Sequence, residues 1–210
     1  MGSPVRPGEH EPATESPGFA GTSKEGKPAM AVGIATTRVL VLGLGNVLLT
    51  DDGVGIHVIR TLERTLTGRS RPPAVRLCDG GTLGLNLLFE LDSADALIAV
   101  DAMDLGAPPG TVRSFDHAGL DARLAGKRGS VHELALADLL AAAELTGRRP
   151  SRRALVAIQP ASTDWGLEPT APVAAAIPAA CRIIQDLLED WGDSHNGPRD
   201  ADCGALRAEA

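Results

Sequence analysis

The chain has 210 residues, 43% of them hydrophobic, enough for one globular domain with a real core plus tails. Aromatic residues make up only 2% and tyrosine is absent, so that core has to be built from Leu, Val, Ile and Ala. A net charge of −7 without a basic stripe excludes nucleic acid as a partner, disfavours an anionic membrane surface and suits a basic peptide.

Met1 to about Thr37 is rich in Gly, Pro, Glu, Lys and Ser and reads as a disordered extension (1–37) with no signal peptide. One domain is expected over 38–191, followed by a flexible tail over 192–210. No stretch of the sequence reads as the ~20 apolar residues of a membrane span. Within the domain, Arg38–Leu42 is a short apolar run of the kind that forms a strand buried on both faces. A helix is expected from about Asp52, with Val54, Val58, Ile59, Leu62 and Leu66 as its stripe. Val75–Cys78 reads as a second strand, Leu83–Leu91 as a second helix and Ala96–Val100 as a third strand. Thr111–Phe115 alternates like an edge strand. Val131–Leu145 is a strong helix, Ala154–Ile158 another buried strand, and Pro172–Trp191 a last helix with Pro178 placed to kink it.

Alternating strands and helices imply an α/β fold, a three-layer α/β/α sandwich around a mostly parallel sheet of about five strands. Ligands of such sheets bind beyond the carboxyl ends of the strands. The polar residues expected there are Asp52 after the first strand, Asp79 after the second, Asp101 after the third, and His132 at the start of the long helix. Asp101 reads equally well as a helix cap or turn residue and as a buried carboxylate that needs a partner. His132 shares a helical face with Leu136, Leu139 and Ala143, so its imidazole points inward, as a core histidine would. Of the adjacent Asp51 and Asp52, Asp51 is assigned to capping the helix, which leaves Asp52 free to point elsewhere.

Two carboxylates and one imidazole suit zinc, nickel, iron or manganese with open positions for water or substrate. Without metal, two close carboxylates would act as an acid–base pair. Gly43-Leu-Gly-Asn46 opens like a dinucleotide fingerprint, but Leu48 stands where the next glycine belongs and the helix starts late. No organic cofactor is expected. His57 falls opposite its helical stripe and reads as a surface residue, while His117 sits in an expected loop. His10 and His195 belong to the tails, and Trp165 and Trp191 read as packing residues. Cys78, Cys181 and Cys203 are too scattered for a disulfide framework and read as reduced thiols of the cytosol.

The order of the motifs adds a resemblance. Val39-Leu-Val-Leu-Gly-Leu-Gly-Asn-Val-Leu-Leu-Thr-Asp-Asp-Gly-Val-Gly55 resembles the opening motif of the [NiFe] hydrogenase maturation proteases. Asp79-Gly-Gly-Thr82, Leu97-Ile-Ala-Val-Asp-Ala102 and Val131-His-Glu-Leu-Ala-Leu-Ala-Asp-Leu139 resemble their second, third and histidine motifs. Ile158-Gln-Pro160 with Gly166-Leu167 and Pro169 resembles their closing segment. The resemblance implies an endopeptidase that removes the C-terminal extension of a hydrogenase large-subunit precursor after nickel insertion; a monomer in the cytoplasm is the default expectation. It implies a catalytic and metal-binding trio of Asp52, Asp101 and His132, a further catalytic role for Asp79, and nickel supplied by the substrate. Many members carry glutamate where this chain has Asp52, a ligand one methylene longer. The rival readings are a non-catalytic nickel checkpoint or chaperone on the same fold, and a metal-dependent hydrolase of another amide.

Overall fold

The computed structural model describes residues 37–66, 74–126 and 131–193. The expected N-terminal extension (save Thr37), most of the expected tail, Cys203, His10 and His195 lie outside the described residues.

Four apolar runs pair side by side because their backbones can satisfy N–H and C=O only against one another. They are β1 (Val39–Leu44), β2 (Val75–Gly81), β3 (Ala96–Ala102) and β5 (Arg152–Ile158), and all their mutual pairings are parallel. β4 (Val112–Asp116) runs antiparallel on the edge beside β5, giving the order β2-β1-β3-β5-β4. The expected strands are thus present, and β2, β3 and β5 are each longer than the apolar runs that announce them.

The pleat sorts side chains onto two faces. Val39, Val41, Ile98, Val100, Val156 and Ile158 face one layer, which holds α1 (Val54–Leu66) and α5 (Ala171–Asp193). Leu40, Leu42, Leu44, Leu97 and Leu155 face the other, with α2 (Leu88–Leu91), α3 (His117–Ala125) and α4 (Val131–Leu145). The first layer is built largely from β-branched residues and the second largely from leucine. This is the expected three-layer sandwich.

Several local expectations change. The first helix does not begin at Asp52: a 3-10 turn over Thr50–Gly53 precedes α1. The expected second helix is a 3-10 turn over Gly84–Leu87 followed by the short α2, and Leu83 falls outside it because Gly84 at φ 51 leaves the right-handed helical region. His117, expected in a loop, opens α3, whose Leu120 and Leu124 are buried. Helix α5 runs through Pro178 to Asp193, so it takes in the first two residues of the expected tail. By length and composition alone α5 is apolar enough to cross a membrane, in contrast to the expectation of no such stretch. Its stripe of Val173, Ala176, Ala180, Cys181 and Ile184 is buried in the α1 layer. Burial there pushes the Cys181 thiol up to about 11, and neither Cys181 nor Cys78 is in a disulfide.

Helix α1 lies very close to the sheet. A Cβ on Gly55 would sit 2.3 Å from the Leu44 carbonyl oxygen and 2.4 Å from that of Val100, and one on Gly43 would sit 2.5 Å from the Gly55 oxygen. Glycine at both positions lets the start of the helix press on the ends of β1 and β3, which sets the Thr50–Gly53 turn at the rim of the sheet. Gly55→Ala is therefore expected to cost about 3 kcal/mol, since the clash is with backbone that cannot rotate away. Urea unfolding of the variant, compared with Ala substitution at Gly119, where a Cβ would meet only ordinary contacts at 3.6 Å or more, measures this.

Candidate active site

Each candidate side chain is aimed by its element. Asp101 follows Leu97 and Ala99 along β3 with a period of two and so faces the α4 layer, where it is 1% exposed. His132 is on the first turn of α4, one turn before Leu136, and points inward as expected. Asp52 comes from the 3-10 turn after β1.

Asp52 and His132 meet. His132 Nε2 is 3.0 Å from Asp52 Oδ2, with the two side chains 12% and 15% exposed. The same Asp52 oxygen accepts the Asn46 N–H at 2.8 Å. Burial by itself would raise the Asp52 carboxyl, but the His132 hydrogen bond and charge, with the Asn46 N–H, outweigh it and hold Asp52 below the ordinary carboxylate value. His132 is raised: the Asp52 hydrogen bond is the main cause, burial opposes it, and the charges of Asp101 and Asp52 add to it. Asp101 thus acts on His132 through its charge from the buried strand behind.

The pair opens onto a cleft of about 480 Å³ lined by Asn46, Leu49, Asp52, Thr82, Ala102, Asp104, His132, Ala135, Pro160 and Thr163. It lies beyond the carboxyl ends of β1, β3 and β5, beside the switch point where β1 is flanked by β2 and β3.

Asp79 is not brought to this cluster, contrary to the expectation of four convergent polar sites. β2 continues to Gly81, so the pleat decides where Asp79 points. It follows Val75 and Leu77 toward the α1 layer, where its half-exposed carboxylate lies 3.7 Å from Arg60.

Asp51 differs from its expected capping role. It is fully buried, and it accepts four hydrogen bonds from a segment more than a hundred residues downstream. The donors are the N–H groups of Ala161 at 2.8 Å, Ser162 at 3.0 Å and Thr170 at 2.6 Å, and the Thr170 hydroxyl at 2.8 Å. Thr50, at φ 32 in a region β-branched residues rarely occupy, donates from its hydroxyl to the Ser162 carbonyl at 2.7 Å. Adjacent carboxylates thus divide the work: Asp51 holds the cleft wall and Asp52 faces the cleft. Gln159 also secures this region, its Oε1 accepting the Leu105 N–H at 2.6 Å. Two other expectations change: His57 is partly buried with its Nε2 unpartnered among the described residues, and Trp165 is 82% exposed, whereas Trp191 packs as expected.

Carboxylate and imidazole are suitable donors for a first-row metal. Among the described residues, however, no group of three or more His, Cys, Asp or Glu is arranged to hold an ion. Asp52 Oδ2 and His132 Nε2 already bond to each other, so an ion taking those two atoms would have to part that contact.

The profile of the hydrogenase maturation protease family matches residues 56–187. The hydrogenase expression/formation protein HupD of Rhodobacter capsulatus is 41% identical over 156 residues, covering 74% of this chain and 73% of that protein. The hydrogenase 2 maturation protease of Escherichia coli K12 is 35% identical over 156 residues, 74% of this chain and 93% of that protein. Among solved structures, the hydrogenase maturating endopeptidase HybD from Escherichia coli superposes with a TM-score of 0.67 at 34% identity, covering 74% of this chain and 94% of that one.

Two predictions come from this geometry. The raised His132 contributes stability that is complete below 6.5 and is lost as pH climbs through its raised value. The lowered Asp52 contributes stability that is complete above 3.8 and is lost as pH falls through its lowered value. His132→Gln should therefore cost about 2 kcal/mol near pH ~5.5 and much less near pH ~9. Equal losses at both pH values in urea titrations would show that no ion pair operates. Asp51→Asn turns an amide toward N–H donors and should cost about 3 kcal/mol. Thermal unfolding reads that loss, and an unchanged midpoint would remove the clamp from the description.

Proposed function

The chain belongs to the hydrogenase maturation protease family, and from that premise we propose that Asp52, Asp101 and His132 read and hold a nickel-loaded hydrogenase large-subunit precursor while one peptide bond is cut. The chain is an endopeptidase, and the non-catalytic checkpoint reading is not favoured, since relatives and neighbours are named as proteases and endopeptidases. The products are the mature subunit and its C-terminal extension.

The observation that carries the assignment of the trio is the Asp52–His132 contact at the cleft, backed by buried Asp101. Nickel enters this account as cargo of the substrate. A divalent ion competes for the same two atoms that now share a proton, Asp52 Oδ2 and His132 Nε2. A precursor without nickel offers nothing to displace that proton and is not held for cleavage. Binding energy at the metal then positions the scissile bond in the cleft, so recognition and rate are linked. Asp52 in place of glutamate shortens the reach of this ligand by one methylene, and the Asn46 N–H fixes its direction.

His132→Ala should fold normally and leave nickel-loaded precursor uncut, with cleavage reduced at least ~100-fold. Gel mobility of the large subunit after incubation with purified enzyme checks this. Mature-length subunit at the normal rate would remove His132 from the mechanism. Wild-type enzyme should also leave nickel-free precursor intact, and its cleavage at a comparable rate would end the nickel-reading account.

A further inference from the structure

Three large apolar side chains stand in water beside the cleft: Trp165 at 82% exposure, Leu167 at 66% and Leu48 at 46%. Trp165 and Leu167 flank Gly166, which forms a parallel bridge with Leu49. Its N–H donates to the Leu48 carbonyl at 3.0 Å and its carbonyl accepts the Thr50 N–H at 2.8 Å. Leu49 and Thr163 themselves line the cleft, so the apolar trio begins where the cleft wall ends.

The Asp51 clamp explains why these side chains stay out. Its donors at Ala161, Ser162 and Thr170 bracket Trp165 and Leu167 on both sides in the chain. Breaking either end of the segment loose would leave a buried carboxylate short of donors, so its backbone is held in place. With Trp165 and Leu167 on the clamped segment and Leu48 tied to it through the Gly166 N–H, the three side chains form a preorganised contact surface.

We propose that Trp165, Leu167 and Leu48 form a docking ledge for a segment of the precursor polypeptide, bearing aliphatic or aromatic side chains, that continues past the cleft from the scissile bond. The inference rests on the reading that the cleft receives that bond. The occupant is a polypeptide because the enzyme is an endopeptidase, whose substrate must run out of the cleft, and the ledge continues the cleft wall. The grip comes from side chains: the N–H and carbonyl of Gly166 are already paired with the 48–50 turn, so a substrate cannot add there as a strand. Tryptophan at the centre of such a contact carries most of its energy.

The test combines kinetics with ¹⁹F NMR. Trp165→Ala and Trp165→Ala/Leu167→Ser are assayed against nickel-loaded precursor, with Asp52→Asn and His132→Ala in parallel. The ledge variants should raise KM about 10- to 100-fold while kcat stays within about threefold, a split that a general loss of folding would not produce. In enzyme carrying 5-fluorotryptophan and His132→Ala, unlabelled precursor should shift the Trp165 signal and leave buried Trp191 in place. Unchanged KM in the double variant, with Asp52→Asn inactive, overturns the ledge and leaves the site reading intact. Normal cleavage by Asp52→Asn and His132→Ala, with KM still raised in the ledge variants, overturns the site reading and leaves the ledge. A Trp165 signal that shifts with enzyme concentration alone assigns the surface to a second copy of the chain and overturns the proposal.

Discussion

A carboxylate sealed from water has to be met by donors, and Asp51 meets four. That requirement joins two distant parts of the chain, the turn after β1 and the segment after β5. Neither is a regular element, and each would be a poor platform alone. Tied together and pressed onto the strand ends through Gly43 and Gly55, they form one wall. Asp52, the next residue, inherits its position from that wall and reaches His132 across 80 residues of sequence. The Asp52–His132 contact is thus a by-product of satisfying the buried carboxylate next to it.

Much of this was legible in the chain. The apolar runs of β1, β3 and β5 have no alternative to a doubly covered sheet, and the stripe of α1 is buried residue for residue. His132 could be turned inward from its spacing with Leu136 and Leu139. What escaped has physical causes. Helix α3 carries only Leu120 and Leu124 toward the core, too thin a stripe to stand out beside an edge strand. Asp79 is expected at the rim only if its strand stops at Cys78, and β2 runs on to Gly81. The alternation Val75, Leu77, Asp79 was present to be read, but not the face it belongs to. Asp51 could not be read, since its partners lie at Ala161, Ser162 and Thr170, beyond any local rule. Trp165 was misjudged because a large apolar residue is assigned to the core by default, and only the clamp on its segment shows why it stays exposed.

The site also shows how a fold of this kind separates scaffold from chemistry. Asp101 belongs to the central sheet, Asp52 to a turn locked against it, and His132 to a helix of the opposite layer. Charge from the sheet and a hydrogen bond from the turn both act on the imidazole. The histidine therefore reports on the relation between two layers, which a site on one element could not do.

The unequal make-up of those layers has a mechanical consequence. Valine and isoleucine, which dominate beneath α1 and α5, have one strongly preferred side-chain torsion and resist sliding. Leucine, which dominates beneath α4, can exchange rotamers without leaving its neighbours. Were the proposed substrate ion to come between Asp52 and His132, the leucine-lined half of the sandwich would be the one to yield. The imidazole would then be the hinged jaw of a vice whose other jaw is bolted to the sheet.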